Sequence, residues 1–333
     1  MRAVRLHGKD DVRLHDEPDT VAAEGESLIK IHAVGLCGSD LHWYVDGHIG
    51  DAYLERPVVP GHEFFGTALS GRYAGQRVVV DPAISCHHCE FCLRGDHNLC
   101  ENIVFAGHGS RDGGMQELLS WPDEALTPLP ESLSDNEAVI LEPLGVALHA
   151  FDLSHIKAGM TVGVVGCGPI GLFILQLARN ANAVGVIAVE PLEHRRALAN
   201  DLQADVVVTP DQVDQHKNSC DLVFDVNGNP DAVAEAVSLA KPGARVVLVG
   251  IPDADQTIFS ASQARRKALT LVCVRRMKDV YSRAIALVER DYIDGESLVS
   301  NVFGPDEVDQ AFKAGAARDG HKIVVQFSSS ASS

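Results

Sequence analysis

The sequence predicts an α/β protein of two domains, a doubly wound parallel six-stranded sheet and a second domain that is mostly β. Three observations predict this fold class. The chain has 333 residues, and a chain of this length usually divides into domains of roughly 100–200 residues each. Residues 160–275 alternate short β-rich runs with helix-like patterns. The N-terminal region is rich in loops, glycine and proline.

The alternating region contains six apolar runs, most of them separated by a helix-like segment. A strand, a crossover helix and a parallel strand form the repeating unit of a doubly wound sheet. We therefore assign residues 144–275 to this domain, and residues 1–143 with 276–333 to the mostly β domain. The predicted strands are 161–165, 186–190, 205–208, 221–226, 244–250 and 269–274.

The charge of the chain argues against two classes of partner. Its 28 Lys and Arg residues against 46 Asp and Glu residues give a net charge of −18 with histidine neutral. Such a polyanion is not expected to bind nucleic acid or an anionic membrane. The N-terminus carries charges in place of an unbroken apolar run, so we expect no secretory segment and a cytoplasmic location.

A glycine-rich turn follows the first strand of the predicted parallel sheet. Its G-x-G-x-x-G spacing between a strand and a helix lets the backbone approach a pyrophosphate at a helix N-terminus. Glu190 ends the second strand, where a carboxylate accepts the ribose hydroxyls and disfavours a 2′-phosphate, so the pattern predicts NAD. Arg195 could lie over the adenine or reach a 2′-phosphate. The predicted contacts within the turn are Gly166, Gly168, Pro169, Ile170 and Gly171.

Four of the eight cysteines crowd into one short segment of the first domain. In a cytosolic chain such crowding is typical of a metal site and not of disulfides. Four thiolates complete a tetrahedral zinc shell and leave no position for a substrate, so we predict a structural zinc. Its ligands would be Cys86, Cys89, Cys92 and Cys100.

A second candidate set is scattered along the chain and comprises Cys37, His62, Glu63 and Glu142. One thiolate, one imidazole and one or two carboxylates leave room for water or substrate, which is typical of a catalytic zinc. Taken singly, each residue is equally well explained as an ordinary buried side chain. The presence of the cysteine cluster and the glycine turn on the same chain favours the interpretation of the set as a catalytic zinc site.

In this order, the motifs resemble the zinc-dependent medium-chain dehydrogenase/reductase superfamily, and most of all its sorbitol (polyol) dehydrogenase branch. The resemblance covers nearly the whole chain and implies a GroES-like catalytic domain beside a Rossmann domain that binds NAD. It also implies one catalytic and one structural zinc per subunit, and a homodimer or homotetramer. The motifs that carry it are 37–42, 48–50, 60–63 and 141–144.

The resemblance also implies roles for individual residues. Cys37, His62 and Glu63 would hold the catalytic zinc, with Glu142 holding a water or joining the shell. Ser39 and His42 would relay the alcohol proton to solvent. The remaining assignments are Val249, Val274 and Arg275 along the cofactor, and Trp43, Glu142 and Arg275 at the substrate.

These assignments predict an oxidoreductase that transfers a hydride from a secondary hydroxyl of a polyol, sugar alcohol or cyclitol to NAD. Trp43 stands where related polyol enzymes often carry Tyr, and Arg276 stands where they commonly carry an aromatic residue. These two differences leave the identity of the substrate open. The alternatives are an L-threonine 3-dehydrogenase-type enzyme and an aldose or aldonate dehydrogenase. A protein of another class, which binds zinc and nucleotide without turnover, would not need the full set Cys37, Ser39, His42, His62 and Glu63.

Overall fold

The structure, a computed structural model, describes residues 1–50, 52–109, 111–229, 231–252 and 256–328. Its residues form two compact units, one of Met1–Glu142 with Tyr281–Ser333 and the other of Pro143–Val280. The first unit is mostly β, and the second contains a parallel sheet with intervening helices. This architecture confirms the predicted fold class.

The N-terminal part of the first unit consists mainly of short strands. They are β1 (Arg2–Gly8), β2 (Asp11–Asp16), β3 (Glu26–Gly35), β4 (His48–Ile49), β5 (Ala52–Tyr53), β6 (Glu63–Ala68), β7 (Arg77–Val80), β8 (Ala83–Ile84), β9 (Val104–Phe105), β10 (Leu118–Pro122) and β11 (Leu126–Pro128). Its helices are α1 (Gly38–Val45), α2 (Glu90–Leu93) and α3 (Asp135–Val139).

The second unit alternates strands with helices and is entered through α4 (Leu141–Ser154). Its strands are β12 (Thr161–Val165), β13 (Gly185–Val189), β14 (Val206–Val208), β15 (Cys220–Asp225), β16 (Ala240–Leu248) and β17 (Thr270–Cys273). Its other helices are α5 (Pro169–Asn180), α6 (Glu193–Asp201), α7 (Ala232–Leu239) and α8 (Ala261–Arg266), with a 3₁₀ segment at Pro210–His216.

These six strands form one parallel sheet in the order β14-β13-β12-β15-β16-β17. The chain changes direction along the sheet between β12 and β15, and ligands of doubly wound sheets bind at the strand ends beside such a switch. β16 begins at Ala240, earlier than its apolar pattern predicts. Ala240 already pairs with Cys220, and a register shift precedes the next pair, Arg245 with Leu222.

The C-terminal segment returns to the first unit. It contains α9 (Tyr281–Glu289), β18 (Val299–Phe303), α10 (Val308–Ala316) and β19 (Lys322–Gln326). β19 pairs antiparallel with β3 and parallel with β18, which completes a sheet in the order β11-β7-β6-β3-β19-β18, with β10 also on β3. This pairing places residues from both ends of the chain beside one another.

Across the part of the chain that the structure describes, no helix combines the length and the apolar character needed to cross a membrane. Residues 158–178 carry no charged side chain, and this stretch contains β12 and most of α5.

Asp225, the last residue of β15, gives the second unit a pH-dependent stability. It is 3% exposed, and burial raises the pKa of its carboxyl to about 7. The protonated form is thus favoured in the fold, so the stability that Asp225 contributes is present below pH ~4 and lost as the pH rises towards 7. We expect Asp225→Asn to raise the melting temperature at pH 8 and to change it little at pH 4.5.

The exposed carboxylate Asp211 provides the matched control, because Asp211→Asn should shift the melting temperature equally little at both pH values. Thermal unfolding of the three proteins between pH 4.5 and 8 makes the comparison. An Asp225→Asn shift that does not grow with pH would contradict the assignment.

Candidate metal and nucleotide sites

The first unit brings three of the predicted metal ligands together. One ligand atom each from Cys37, His62 and Glu63 lies within 4.8 Å of the others. The pairing of β3 with β6 explains the convergence, because Gly35 is opposite Glu63 and Cys37 follows two residues later. Zinc bonds of about 2.0–2.3 Å place tetrahedral ligands roughly 3.3–3.8 Å apart. Three donors of mixed type at this spacing therefore fit a zinc ion and leave a fourth position open.

Asp40 joins the two loops that carry these ligands. The backbone N–H of Cys37 donates to Asp40 Oδ2 at 3.0 Å, and the backbone N–H of Gly61 donates to Oδ1 at 3.0 Å. His62 Nδ1 lies 3.7 Å from the same Oδ1, while Nε2 lies 3.5 Å from Ser39 Oγ. The buried carboxylate thus faces one ring nitrogen of His62 and leaves Nε2 for the metal, as carboxylates do behind metal-bound histidines.

Lys322, the first residue of β19, contacts Glu63. Its Nζ donates to Glu63 Oε2 at 2.5 Å and to the Leu36 carbonyl at 3.0 Å, and its side chain is 3% exposed. Burial works to lower the pKa of Lys322, but Glu63 and Cys37 outweigh it and raise the pKa. Lys322 therefore supplies the positive charge that Glu63 needs in the interior.

Glu142 is buried near these groups but outside the 4.8 Å group of Cys37, His62 and Glu63. Burial raises its pKa well above the ordinary value, with His62 opposing and Glu63 adding to the rise. Burial, followed by Glu63, also raises the pKa of the Cys37 thiol to about 12. Burial thus disfavours the anionic forms of both Glu142 and Cys37. A cation bound beside them would stabilise these anionic forms, so the two raised pKa values fit a metal site.

Helix α1 carries the predicted proton relay. Ser39 and His42 are three residues apart and therefore share one face of the helix. His42 Nδ1 pairs with Asp46 Oδ2 at 3.0 Å, and the His42 side chain is partly exposed. The helix thus links a hydroxyl beside His62 to an imidazole at the surface.

An aromatic cluster lies against His62. The ring of His108 is centred 5.8 Å from that of His62, 5.7 Å from that of Trp43 and 5.0 Å from that of Phe105. Trp43, predicted to contact substrate, is only 2% exposed and belongs to the core of this unit. His108 is half-buried.

The four clustered cysteines also converge, with their Sγ atoms within 4.8 Å of one another. The Sγ of Cys92 lies 3.5 Å from that of Cys89 and 4.0 Å from that of Cys86, close to the ~3.8 Å edge of a zinc tetrathiolate. The backbone N–H of His88, ahead of other donors, lowers the pKa of Cys86 to about 5. This group fits the predicted structural zinc.

In the second unit, the glycine turn has the form that its spacing predicts. Gly166 has φ +99°, a conformation that favours glycine, and a Cβ on Gly171 would collide with the Gly166 carbonyl. Gly168 caps α5, and Pro169 and Ile170 begin that helix. The backbone N–H groups at the start of α5 therefore form a site of the kind that binds a phosphate.

Glu190 is buried behind this turn. Its Oε2 accepts the backbone N–H of Cys167 at 2.8 Å, and its Oε1 accepts that of Leu192 at 3.0 Å. The carboxylate thus fixes the turn at the end of the second strand. A Cβ on Gly168 would lie 3.9 Å from an Arg195 guanidinium nitrogen, so Arg195 reaches the turn as well.

The other predicted cofactor contacts follow neighbouring strands. Val249 comes directly after β16, and its N–H donates to the Asp225 carbonyl at 2.8 Å. Val274 comes directly after β17, and its N–H donates to the Leu248 carbonyl at 2.9 Å, with Arg275 next in the chain. Parallel strands end at one edge of the sheet, so Val249 and Val274 lie on the same side as the glycine turn.

Three residues beside the metal ligands were not predicted from the sequence. Asp40 leaves a local signal, because it is the third residue of α1 and accepts a hydrogen bond from the residue that caps it. His108 is flanked by Gly107 and Gly109, both at positive φ, which indicates only a constrained loop. Lys322 has no local signal, since it lies 259 residues from Glu63 in the sequence.

Two family models match the chain. Residues 23–131 match the alcohol dehydrogenase GroES-like domain, and residues 169–290 match the zinc-binding dehydrogenase domain. The sorbitol dehydrogenase of Bacillus subtilis is 27% identical over 328 residues, which cover 94% of this chain and 93% of that protein. A probable D-xylulose reductase A of Aspergillus clavatus is 30% identical over 340 residues, with 96% and 95% covered.

Solved structures of dehydrogenases have the same fold over nearly the full length. L-idonate 5-dehydrogenase from Escherichia coli superposes with a TM-score of 0.90 at 26% identity, covering 98% of each chain. An alcohol dehydrogenase from Escherichia coli CFT073, solved in complex with NADH, superposes with a TM-score of 0.89 at 27% identity, covering 98% of this chain and 99% of that one.

The cysteine group predicts one zinc ion that can be removed without changing the ligands of the other metal site. We expect Cys89→Ser to lower the zinc content by one ion per chain and to lower the melting temperature, because the tetrahedral shell loses a thiolate. The exposed cysteine Cys273 lies outside both metal groups, so Cys273→Ser should leave both quantities unchanged. Elemental analysis with thermal unfolding tests this, and an unchanged zinc content in Cys89→Ser would contradict it.

The Lys322–Glu63 pair predicts that a bound metal ion can replace Lys322 as the positive charge beside Glu63. In the metal-free protein, Lys322→Met leaves Glu63 buried without a counter-charge, which should destabilise the fold by about 3–5 kcal/mol. Added zinc should recover more stability in Lys322→Met than in the unchanged protein, because the cation takes over the charge of Glu63. Denaturant unfolding with and without zinc measures both effects.

Two further variants make this test specific. Lys313 pairs with Asp309 at the surface, so Lys313→Met should cost less than about 1 kcal/mol. In the double variant Lys322→Met with Glu63→Gln, removal of the orphaned charge should restore stability of the metal-free protein. A Lys322→Met variant as stable as Lys313→Met would refute the pairing.

Proposed function

Because the chain belongs to the zinc-binding dehydrogenase family, we propose that it is a zinc-dependent polyol dehydrogenase, which oxidises a secondary hydroxyl to a ketone with NAD as the hydride acceptor. The observation that carries the proposal is the convergence of Cys37, His62 and Glu63 beside Ser39, on a chain that also has the glycine turn. The names of the sorbitol dehydrogenase and D-xylulose reductase relatives support the polyol class.

Cys37, His62 and Glu63 hold the catalytic zinc in this proposal. When bound, zinc acts as a Lewis acid that lowers the pKa of an alcohol, and NAD accepts the hydride. Asp40 orients His62 and fixes the backbone of both ligand loops. Glu142 is a further carboxylate near the ligands. Burial keeps it protonated until a cation or water stabilises its charged form.

The proton of the alcohol leaves along α1. The Ser39 hydroxyl accepts it beside His62 and passes it towards His42 at the surface. Asp46 accepts the Nδ1–H of His42, so Nε2 is the ring nitrogen that takes up the proton in this proposal. The pair thereby keeps one tautomer of His42 ready for proton release.

NAD binds the second unit in this proposal, with its pyrophosphate at the start of α5 and the adenosine ribose near Glu190. The negative charge of Glu190 disfavours a 2′-phosphate, which supports NAD as the cofactor. Val249, Val274 and Arg275 follow the adjoining strands and extend the cofactor site.

An aldonate dehydrogenase is the second candidate, because the L-idonate 5-dehydrogenase structure superposes at a TM-score of 0.90. Aldonates are polyols with a carboxylate at one end, so the same zinc chemistry serves both classes. Arg275 is the residue we assign to a substrate carboxylate, since guanidinium groups bind carboxylates in two-point contacts.

The working form of the protein is, in this proposal, a cytoplasmic homodimer or homotetramer. Strand β17 lies at the end of the parallel sheet, and Leu271 and Cys273 are exposed on it. Unpaired strand edges favour pairing with another chain, so a second copy is the natural partner for this edge.

Initial rates of NADH formation test the function. The zinc-loaded protein should oxidise a polyol faster than threonine, prefer NAD over NADP, and lose its activity when a chelator removes the zinc. A preference for an aldonate would select the second candidate. Activity that is equal before and after complete zinc removal would refute the proposal.

A further inference from the structure

The hairpin of β1 and β2 carries a pair of histidines outside the two metal groups described above. His7 Nε2 lies 2.9 Å from His15 Nε2, and the two ring centres are 5.1 Å apart. Both residues are half-buried, so part of each remains accessible to solvent. Imidazole is the commonest metal ligand in proteins, and two imidazole nitrogens that face each other can bind one ion between them.

The alternation of side chains along the hairpin puts both histidines on one face. Val4, Leu6 and Val12 are buried in the core of the first unit. Successive side chains of a strand point to opposite faces. The odd-numbered positions, which include His7 and His15, therefore lie on the face directed away from that core.

A β-bulge accounts for the direction of the His7 side chain. The register shifts between Leu6 and Gly8, so His7 is the extra residue of β1. A bulge bends its strand, increases the local twist and re-aims the extra side chain. His15 is opposite Ala3 in the ladder, so the two rings meet diagonally across the hairpin. The bulge thus explains a contact that a regular ladder would not make.

Neighbouring segments hold β1 in place. The N–H of Val4 donates to the Met115 carbonyl at 2.9 Å, and the N–H of Leu6 donates to the Val58 carbonyl at 2.9 Å. β1 is therefore bonded both to β2 and to these segments. Because the backbone that carries His7 is fixed before any ligand binds, binding there loses little conformational entropy.

The charges near the pair permit a further cation. Arg5 is paired with Glu17, and Arg13 is paired with Asp11 at 2.6 Å, so a carboxylate offsets each guanidinium. Burial, followed by Arg13, lowers the pKa of His7. The neutral imidazole, which is the form that binds a metal, is therefore favoured.

The separation of the two nitrogens fits one class of metal ion. Two metal–imidazole bonds of about 2.0–2.1 Å place their nitrogens about 2.8–3.0 Å apart at a right angle, and about 3.3–3.4 Å apart at a tetrahedral angle. The 2.9 Å between His7 Nε2 and His15 Nε2 fits the right angle. Right angles are those of square-planar and octahedral sites, which with nitrogen and oxygen ligands favour Cu²⁺ or Ni²⁺.

The tautomers of the two rings are compatible with this ligand set. In the metal-free pair, one Nε2–H donates to the other Nε2. When an ion binds, the donor ring takes the Nδ1–H tautomer, so both Nε2 atoms present a lone pair. Both rings stay neutral throughout, and no proton has to leave the protein.

We infer that His7 and His15 form a binding site for one divalent transition-metal ion of right-angle coordination, Ni²⁺ or Cu²⁺. The two imidazoles are its protein ligands, and water completes the coordination. A bound ion cross-links β1 to β2 and stabilises the hairpin. The site is separate from both zinc groups, and its existence does not depend on the proposed dehydrogenase function.

Nickel binding to the zinc-loaded protein tests the site. Calorimetric titration should show one Ni²⁺ site per chain that is tighter than any other. We expect His7→Gln and His15→Gln each to weaken this site by about tenfold or more, because the remaining imidazole lacks its tethered second donor. Ni²⁺ should also raise the melting temperature of the unchanged protein and of neither variant, since the ion binds the folded hairpin.

The controls separate this site from the others. Glutamine can take over the hydrogen bond of the pair, so both variants should fold. His194→Gln alters an exposed histidine of α6 and should bind Ni²⁺ as tightly as the unchanged protein. Zinc content, measured in the same samples, should be the same before and after nickel is added.

Anomalous diffraction at the nickel edge locates the ion. It should lie about 2.0–2.1 Å from both Nε2 atoms of the pair. Equal nickel affinity in the unchanged protein, His7→Gln and His15→Gln would overturn the inference. Nickel uptake matched by an equal loss of zinc, or an ion found only away from the hairpin, would overturn it as well.

Discussion

The carboxylate of Asp40 is the interaction on which the metal site depends. It ties the loop that begins α1 to the loop that ends before β6, through one backbone N–H on each side. These loops bring the thiolate and the imidazole from two separate segments of chain. Burial raises the pKa of Asp40, and His62 and the two backbone donors act in the opposite direction. The same contacts therefore hold the ligand loops together and favour a charged carboxylate in the interior.

Charge balance is the second constraint on this site. Cys37, Glu63 and Glu142 are three acidic groups in one buried region, and Lys322 is the cation that contacts Glu63. Isolated charges in a protein interior are strongly unfavourable, so such a group is stable only with its counter-ions. In the metal-free protein, Lys322 balances the charge of Glu63. A bound metal ion adds the positive charge that balances Cys37 and Glu142.

The strands of the parallel sheet and the glycine turn were predictable because local patterns encode them. Apolar runs of strand length mark β12 to β17, and the collision that a Cβ on Gly171 would cause explains the third glycine of the turn. The metal groups could be predicted from residue types, and two of their partners could not. Lys322 and His108 act through contacts between distant segments, and no periodicity records which distant side chain will meet Glu63 or His62.

The position of Lys322 on the last strand has a consequence during synthesis. Glu63 leaves the ribosome 259 residues before its counter-charge does. At roughly 5–20 residues per second, that interval lasts about 10–50 s. Throughout it, the nascent N-terminal segment holds a carboxylate that it cannot bury without either a proton or a cation. The first unit therefore completes its fold after translation of the second, and the order of synthesis delays the formation of a closed metal site until the whole chain is present.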